Sequence, residues 1–562
     1  IVTKATIGTL YTDKAIYKPK DALTLTFSAS DSGLVTLRVY DMASKVFETD
    51  INAKKGNNTF NWTIPDGDYK GYLFEVSAVN SEFIAVNVNN HVEYVPIMGF
   101  LGNFGPNIDK DQMNGIVKEM NRFHINYVQF YDWYDRDDTP LRIVDGKPEQ
   151  NWIDFMKRPT SFNTVKNYID VVHNYGMQAM FYNLIYGSQL GIPSSDDSNL
   201  NWTNPNLTKE MFLYKNKDLT EYAGENHGGK LSITYMNPLN GAWGDYIAGQ
   251  ANVVYQNLPF DGWHVDQLGT LPSDTYSSDG VHLDWGSFGD GYGAVLKHAK
   301  AKNPDKRLTI NNVDDIGTEK VMASNTVDFM YVEPWGGIGF SFKQLASYIR
   351  NSTQKYWKPM VIPSYVNKEK AETNNQTDGM VNDAAAFLCD AMEMSNGASH
   401  LEWGEHYLAN EYFPNSNLKL RDSSKTIIMS YLDTFVEFLQ ILNGKWIDDP
   451  VTSSTHQLST GFDKDKITTV YKRSGFGSIV SLVNMIGIAH DNWQDPQGTQ
   501  VMPQVQSNIQ LTIPVENTPS GVFLIKADES PAPQPINFTQ NGNSISITVD
   551  KLSVWDLIYI KP

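Results

Sequence analysis

The run Phe260-Asp261-Gly262-Trp263-His264-Val265-Asp266-Gln267-Leu268-Gly269 decides how the centre of this chain is read. Residues 262–266 are strand-length, and helix-length patterns flank them at 241–257 and 288–302. Side chains alternate along a strand, so His264 and Asp266 point one way and Trp263 and Val265 the other. With Val265 on a covering helix layer, Asp266 faces the opposite side, at the strand's carboxyl end.

The same alternation of elements continues in both directions. Strand-length segments at 95–99, 127–131, 178–183, 262–266, 308–312, 329–333, 360–364 and 400–403 are separated by helix-length ones at 108–124, 162–175, 241–257, 288–302, 318–324, 341–356 and 381–395. An amphipathic stretch at 421–443 follows the last strand. Eight strands each followed by a helix, over about 350 residues, predict a central (β/α)8 TIM barrel. Its longest insertion, 184–236, follows the third strand. Before and after it the pattern changes to short alternating strands separated by turn residues, such as Leu23-Thr24-Leu25-Thr26-Phe27 and Ile509-Gln510-Leu511-Thr512-Ile513. Such patterns predict a β-sandwich at each end. The expected fold class is multidomain α/β with all-β flanking domains, divided as 1–93, 94–445 and 446–562.

Composition narrows the partner. The 562 residues carry 45 Lys and Arg against 64 Asp and Glu, a net charge of −19, which disfavours nucleic acid and anionic membrane surfaces. No apolar run is long enough to cross a bilayer. Thirteen Trp and 29 Tyr suit a neutral ligand with flat apolar faces and hydroxyls, as a sugar has. The single cysteine, Cys389, excludes an intrachain disulfide and a Cys-based metal cluster, and its apolar surroundings predict a buried thiol. The chain opens on Ile1 and is expected to be a processed form. Sequons such as Asn201-Trp202-Thr203 are potential glycan acceptors.

Catalytic groups of such a barrel sit where strands end. The strand ends here are polar and aromatic: Tyr131-Asp132-Trp133, Asn183, His264 to Gln267, Asn311-Asn312, Glu333-Pro334-Trp335, Tyr365 and Glu402-Trp403. Alternation along 329–333 sends Phe329, Tyr331 and Glu333 inward and Met330 and Val332 outward. Asp266 and Glu333 thus converge from strands four and six. Carboxyl groups about 5 Å apart fit a retaining glycosidase, and a gap of roughly 6.5–9.5 Å fits an inverting one. Polar neighbours, His264 and Gln267, favour an ionised Asp266 as nucleophile; the walls of Tyr331, Pro334 and Trp335 favour a protonated Glu333 as acid/base. Substrate contacts are expected from Tyr131, Asp132, Trp133, Asn183, His264, Gln267, Trp335 and Glu402, with Trp403 a further stacking platform. The charge run Asp132, Asp135, Asp137 and Asp138 reads as a solvated loop. No HExxH pair or calcium loop is present, an acidic pair needs no metal, and no metal or cofactor is expected. Residues 224–230 have the Gly and Lys spacing of a phosphate loop, but Leu231 replaces the required Ser or Thr, so they read as an ordinary solvated loop.

The stretch 260–269, the later Tyr331-Val332-Glu333-Pro334-Trp335 and Val128-Gln129-Phe130-Tyr131-Asp132-Trp133 resemble glycoside hydrolase family 66, which contains endo-dextranases and cycloisomaltooligosaccharide glucanotransferases. The resemblance covers nearly the whole chain. It implies an immunoglobulin-like N-terminal domain, a (β/α)8 catalytic barrel and a C-terminal antiparallel Greek-key β-domain, with Asp266 as nucleophile and Glu333 as acid/base. It implies retaining cleavage of α-1,6-glucosidic bonds inside dextran, and a secreted, monomeric enzyme acting on that polysaccharide is expected. The glucanotransferase branch typically carries an extra carbohydrate-binding domain late in the barrel, for which 365–399 leaves no room, so a dextranase is expected. The alternatives are a glucanotransferase and a non-catalytic glucan-binding protein.

Overall fold

The computed structural model describes residues 4–154, 156–189, 204–227, 231–270, 274–373 and 379–562. The sequon at 201–203 and residues 228–230 of the Gly-rich stretch lie outside the described residues.

Eight parallel strands form the centre. Strands one to five are Met98–Leu101, Tyr127–Phe130, Gln178–Leu184, Gly262–Asp266 and Arg307–Ile310, paired in sequence order in a five-stranded sheet. Strands six to eight are Met330–Tyr331, Met360–Ile362 and Ala398–His400, in a three-stranded sheet. The two sheets meet at both edges through single parallel bridges, Asn311 to Tyr331 and Phe100 to Gly404, rather than through continuous ladders. At the second seam a Cβ on Gly404 would stand 2.1 Å from the Phe100 carbonyl oxygen, so this backbone approach requires glycine.

Alternation divides the strand side chains as the sequence predicts. Met98, Phe100, Tyr127, Met180, Phe329, Tyr331, Val361 and Leu401 form one apolar cluster between the strands. Their neighbours Val128, Phe181, Trp263, Val265, Met330 and Val332 join the larger core beneath the helices. Burial on both faces explains why these strands read as nearly unbroken apolar runs.

Helices follow the strands at Lys110–Arg122, Phe162–Asn174, Gly241–Asn257, Trp285–Lys302, Thr318–Ser324, Phe342–Tyr356, Asp383–Ser395 and Asp422–Glu437. Their starts obey capping chemistry: Asp109 with Gln112 and Ser341 with Gln344 make reciprocal capping boxes. The expected helix at 421–443 is interrupted, because Phe438 leaves the helical region and a short turn, Leu439–Leu442, follows. Within 224–230, expected to be a solvated loop, residues 224–227 instead form a strand. Gly224–His227 pairs with Leu231–Tyr235, which also pairs with Gly187–Ser188.

Residues 11–88 form three- and four-stranded antiparallel sheets around a core of their own that includes Leu23, Leu25, Phe27, Val35, Leu37 and Phe74. Residues 445–561 form seven- and four-stranded sheets around Ile467, Val480, Ile509, Leu511 and Ile558. One pair in this second β region is parallel, Leu458–Ser459 with Ile467–Thr468, so it is not purely antiparallel as expected. A buried charge cluster ties the first β region to the helices. Arg122 donates to Asp433 at 2.9 Å, His124 Nε2 lies 2.7 Å from the same carboxylate, and the Ala85 backbone N–H donates to it at 3.0 Å. Burial pushes the Asp433 carboxyl up, but Arg122 and the hydrogen bond with His124 outweigh it and hold its pKa below the usual range.

Candidate active site

Asp266 closes strand four and Glu333 lies just past strand six. Both open onto a cavity of about 850 Å³ walled by residues in or just after strands two to seven, by Glu225 and Ile233 of the insertion, and by the loop after strand eight. That volume and concavity fit a ligand cleft.

Each carboxylate is held by two side-chain donors. Asp266 accepts from the Tyr182 hydroxyl at 2.6 Å and from Asn311 Nδ2 at 3.0 Å. Burial raises its pKa to about 6, with Tyr182, the Gln267 backbone N–H and Asn311 pulling the other way. Glu333 accepts from Trp335 Nε1 and from the Tyr365 hydroxyl, both at 2.6 Å. Burial and then the charge of Asp266 raise its pKa to about 7 against those two donors. A pair poised this way can present one ionised and one protonated carboxyl near neutral pH.

Asn311 connects the two. Its Nδ2 donates to Asp266 while its Oδ1 accepts the Glu333 backbone N–H at 3.2 Å, which fixes the amide's orientation. Asp314, held at φ 52°, supports the next turn. Its carboxylate accepts the backbone N–H groups of Trp335 at 3.0 Å, Gly337 at 2.6 Å and Ile338 at 2.8 Å. That cradle fixes the segment carrying Glu333 and Trp335.

Of the expected substrate contacts, Tyr131, Asp132, His264, Gln267 and Trp335 line the cavity. Tyr131 stacks on Phe413 with ring centroids 4.3 Å apart. Asp132 sits at φ 52°, and burial and the nearby Asp154 raise its pKa well above the ordinary value. The expected support of Asp266 by the side chains of His264 and Gln267 is not what is found. His264 Nδ1 pairs with Thr309 Oγ1 at 2.7 Å, and burial lowers its pKa to about 3, leaving it neutral. Gln267 turns its amide oxygen to the Gly269 N–H at 3.0 Å, and only its backbone serves Asp266.

Trp133, Asn183 and Glu402 do not line the cavity. Trp133 is fully buried against Phe181 and Phe260 and donates to the Tyr182 carbonyl at 3.0 Å. Asn183 donates to the Asp137 carbonyl at 2.9 Å. Strand alternation explains the miss: Met180, Tyr182 and Leu184 share one face, so Asn183 must face away. Tyr182 was therefore legible from the pattern. Glu402 is 3 % exposed and turns toward His400, and Trp403 stacks on Phe123 in the core. The acidic run is also buried rather than solvated. Asp135 pairs with Arg142 at 2.9 Å, and Asp138 accepts from Asn204 at 2.8 Å. Cys389 is buried, as its surroundings predict.

Comparison with known proteins follows the same line. The profile of glycosyl hydrolase family 66 matches residues 12–559. A cycloisomaltooligosaccharide glucanotransferase of Niallia circulans is 24 % identical over 718 aligned positions, covering 99 % of this chain and 72 % of that protein. A dextranase of Streptococcus salivarius is 24 % identical over 79 % of this chain and 60 % of its own length. Among solved structures, a Paenibacillus cycloisomaltooligosaccharide glucanotransferase complexed with cycloisomaltoheptaose superposes with TM-score 0.89 at 22 % identity, covering 99 % of this chain and 100 % of that one. The chain belongs to glycosyl hydrolase family 66.

Proposed function

We propose that this chain is an endo-acting, retaining glycoside hydrolase that cleaves internal α-1,6-glucosidic linkages of dextran to isomaltooligosaccharides. Glu333 protonates the leaving glycosidic oxygen while Asp266 attacks the anomeric carbon, giving a glycosyl ester on Asp266. Glu333 then removes a proton from the attacking water, whose oxygen displaces Asp266 with a second inversion. The observation that carries this reading is the pair itself. Two carboxylates open to one cavity, linked through Asn311, and burial raises the pKa of both toward neutrality, so that one can stay protonated beside an ionised partner. Tyr131 and Trp335 offer aromatic surface to a glucose ring beside them.

On this reading the eight parallel strands act as one (β/α)8 barrel flanked by β-domains at 1–93 and 446–562, and the enzyme works as a secreted monomer. No described helix is long and apolar enough to cross a membrane.

The second reading is a glucanotransferase, in which a sugar hydroxyl replaces water and linear or cyclic products result. It is favoured by the names of the relatives that align along nearly all of this chain and about 72–73 % of their own length. Against it, the first of them aligns over 718 positions, more than the 562 residues here, so it carries stretches with no counterpart in this chain. Between strands seven and eight this chain has only 363–397, with helices Lys368–Glu372 and Asp383–Ser395. Incubation with dextran and with starch, followed by chromatography, tests the proposal. Linear isomaltooligosaccharides from dextran alone are expected. Predominantly cyclic products would establish the second reading, and maltooligosaccharides from starch would refute both.

A further inference from the structure

Behind strand eight, away from the cavity, a second set of acidic groups is closed inside the protein. Asp390 and Glu393 project from the helix Asp383–Ser395, His400 ends strand eight and Glu402 follows it, and none of the four is more than 3 % exposed. His400 Nε2 lies 2.7 Å from the Ser364 carbonyl oxygen, which can only accept, so Nε2 carries the hydrogen. In the neutral ring the Nδ1 lone pair then points at Asp390 Oδ1, 2.7 Å away, with Glu402 Oε2 at 3.2 Å and Glu393 Oε2 at 4.0 Å.

Among the described residues no Lys or Arg pairs with these three carboxylates, and His400 is the one basic side chain beside them. Asp390 Oδ2, Glu393 Oε2 and both Glu402 oxygens accept no hydrogen bond, and the buried Tyr407 hydroxyl has no partner either. Three enclosed carboxyl groups share one imidazole and the Ser364 hydroxyl, which donates to Glu393, and the four orphaned oxygens left over leave room for a cation. Two ligands on an ion with bonds of about 2.0–2.2 Å stand roughly 3 Å apart at right angles, and the 2.7 Å and 3.2 Å separations around Nδ1 bracket that value. A backbone carbonyl on the far N–H is the usual support of a metal-bound imidazole. Cys389 forms an overlapping triad with Glu393 and His400 and adds a potential sulfur ligand.

We propose that His400, Asp390 and Glu402 hold a divalent transition-metal ion, of the zinc or manganese type, that pins the helix Asp383–Ser395 to the end of strand eight. Imidazole nitrogen among carboxylates selects such an ion over calcium, which takes oxygen ligands. None of the three lines the cavity, so the ion is structural. The proposal stands apart from the assignment of substrate.

The test is elemental analysis of the purified full chain after dialysis against metal-free buffer, with thermal melts before and after chelation. About one zinc or manganese per chain is expected, together with a Tm that falls by at least about 3 °C on chelation and recovers when the ion is restored. E402Q and D390N should retain less than a tenth of the wild-type content. A chain without stoichiometric metal whose Tm does not move with added zinc or manganese overturns the proposal, as does calcium alone or metal retained in both variants. If a variant fails to fold, the wild-type chelation and content measurements decide.

Discussion

Two groups of carboxylates sit near the strand ends of this protein, and they are built in opposite ways. At the cavity, Asp266 and Glu333 each receive two side-chain donors and keep a path to solvent. Behind strand eight, Asp390, Glu393 and Glu402 are sealed, and four of their oxygens accept nothing. The difference teaches that burial alone does not mark a reacting acid. What marks it is burial with a defined donor set and room for a substrate, whereas sealed acids with more oxygens than donors ask for a counterion.

Substitution at the pair should give the largest effects. Asp266→Asn is expected to lower kcat on dextran by about 10⁴-fold or more while dextran binding persists, and Glu333→Gln by roughly 10³-fold. Assays and affinity electrophoresis check both. Because the folded pKa values of these acids are raised above their unfolded values, their ionisation costs stability as pH rises from about 4 through about 6 and about 7. Both neutral variants should therefore melt at or above the wild-type Tm at pH 8. A lower Tm there would show the pair to be structural and erase the contrast with the sealed cluster.

Asp433 offers a third arrangement, sealed but paired. Asp433→Ala removes the partner of Arg122 and His124 and is expected to cost about 3–5 kcal/mol in denaturant unfolding, without touching the cavity. Because its folded pKa is depressed, its contribution is present above the unfolded carboxylate value near 4 and is lost as pH falls through the folded one.

Asn311→Ala should lie between these extremes in its effect on turnover, lowering kcat by roughly 10–10³-fold, because one amide holds the Asp266 carboxylate and the backbone of Glu333. Its loss also raises the pKa of Asp266, so the acid limb of the kcat/KM profile should move upward.

The smallest effects are on pH dependence alone. On the proposed mechanism Asp266 is ionised and Glu333 protonated, so kcat/KM should follow a narrow bell with limbs near about 6 and about 7, apparent values that belong to the coupled pair. Tyr182→Phe should move the acid limb upward and Tyr365→Phe the alkaline limb upward, each by roughly half a unit to one unit, since each removes a donor that favours the ionised form. Shifts on the opposite limbs would exchange the two roles.

Much of this was legible from residues in order. Period-two alternation placed Trp263, Val265, Met330 and Val332 under the helices and turned Asp266 and Glu333 to the cavity, because both faces of these strands are buried and register is strongly specified. The same rule would have chosen Tyr182 over Asn183. Glu402 was misread because strand eight is short: Leu401 faces the inner cluster, so Glu402 falls on the helix side with His400, and Trp403, three residues past the ladder, turns into the core beneath the helices. The acidic run misled for another reason. Gln189 and Asn204, the partners of Asp138, sit in the insertion more than 50 residues away, and a charge run with such remote partners looks like a solvated loop in one dimension. Asn311 stood in view at a strand end, but its dual hydrogen bonding exists only once strands four, five and six are side by side.

The most direct test of the central claim is to trap the glycosyl-enzyme with an activated 5-fluoro glucosyl donor and locate the label by peptide mass spectrometry. The account predicts one covalent sugar per chain, on Asp266, with Asp266→Asn unlabelled. A label on Glu333 or on another acid, or turnover that inverts the anomeric centre with no covalent adduct, would contradict it.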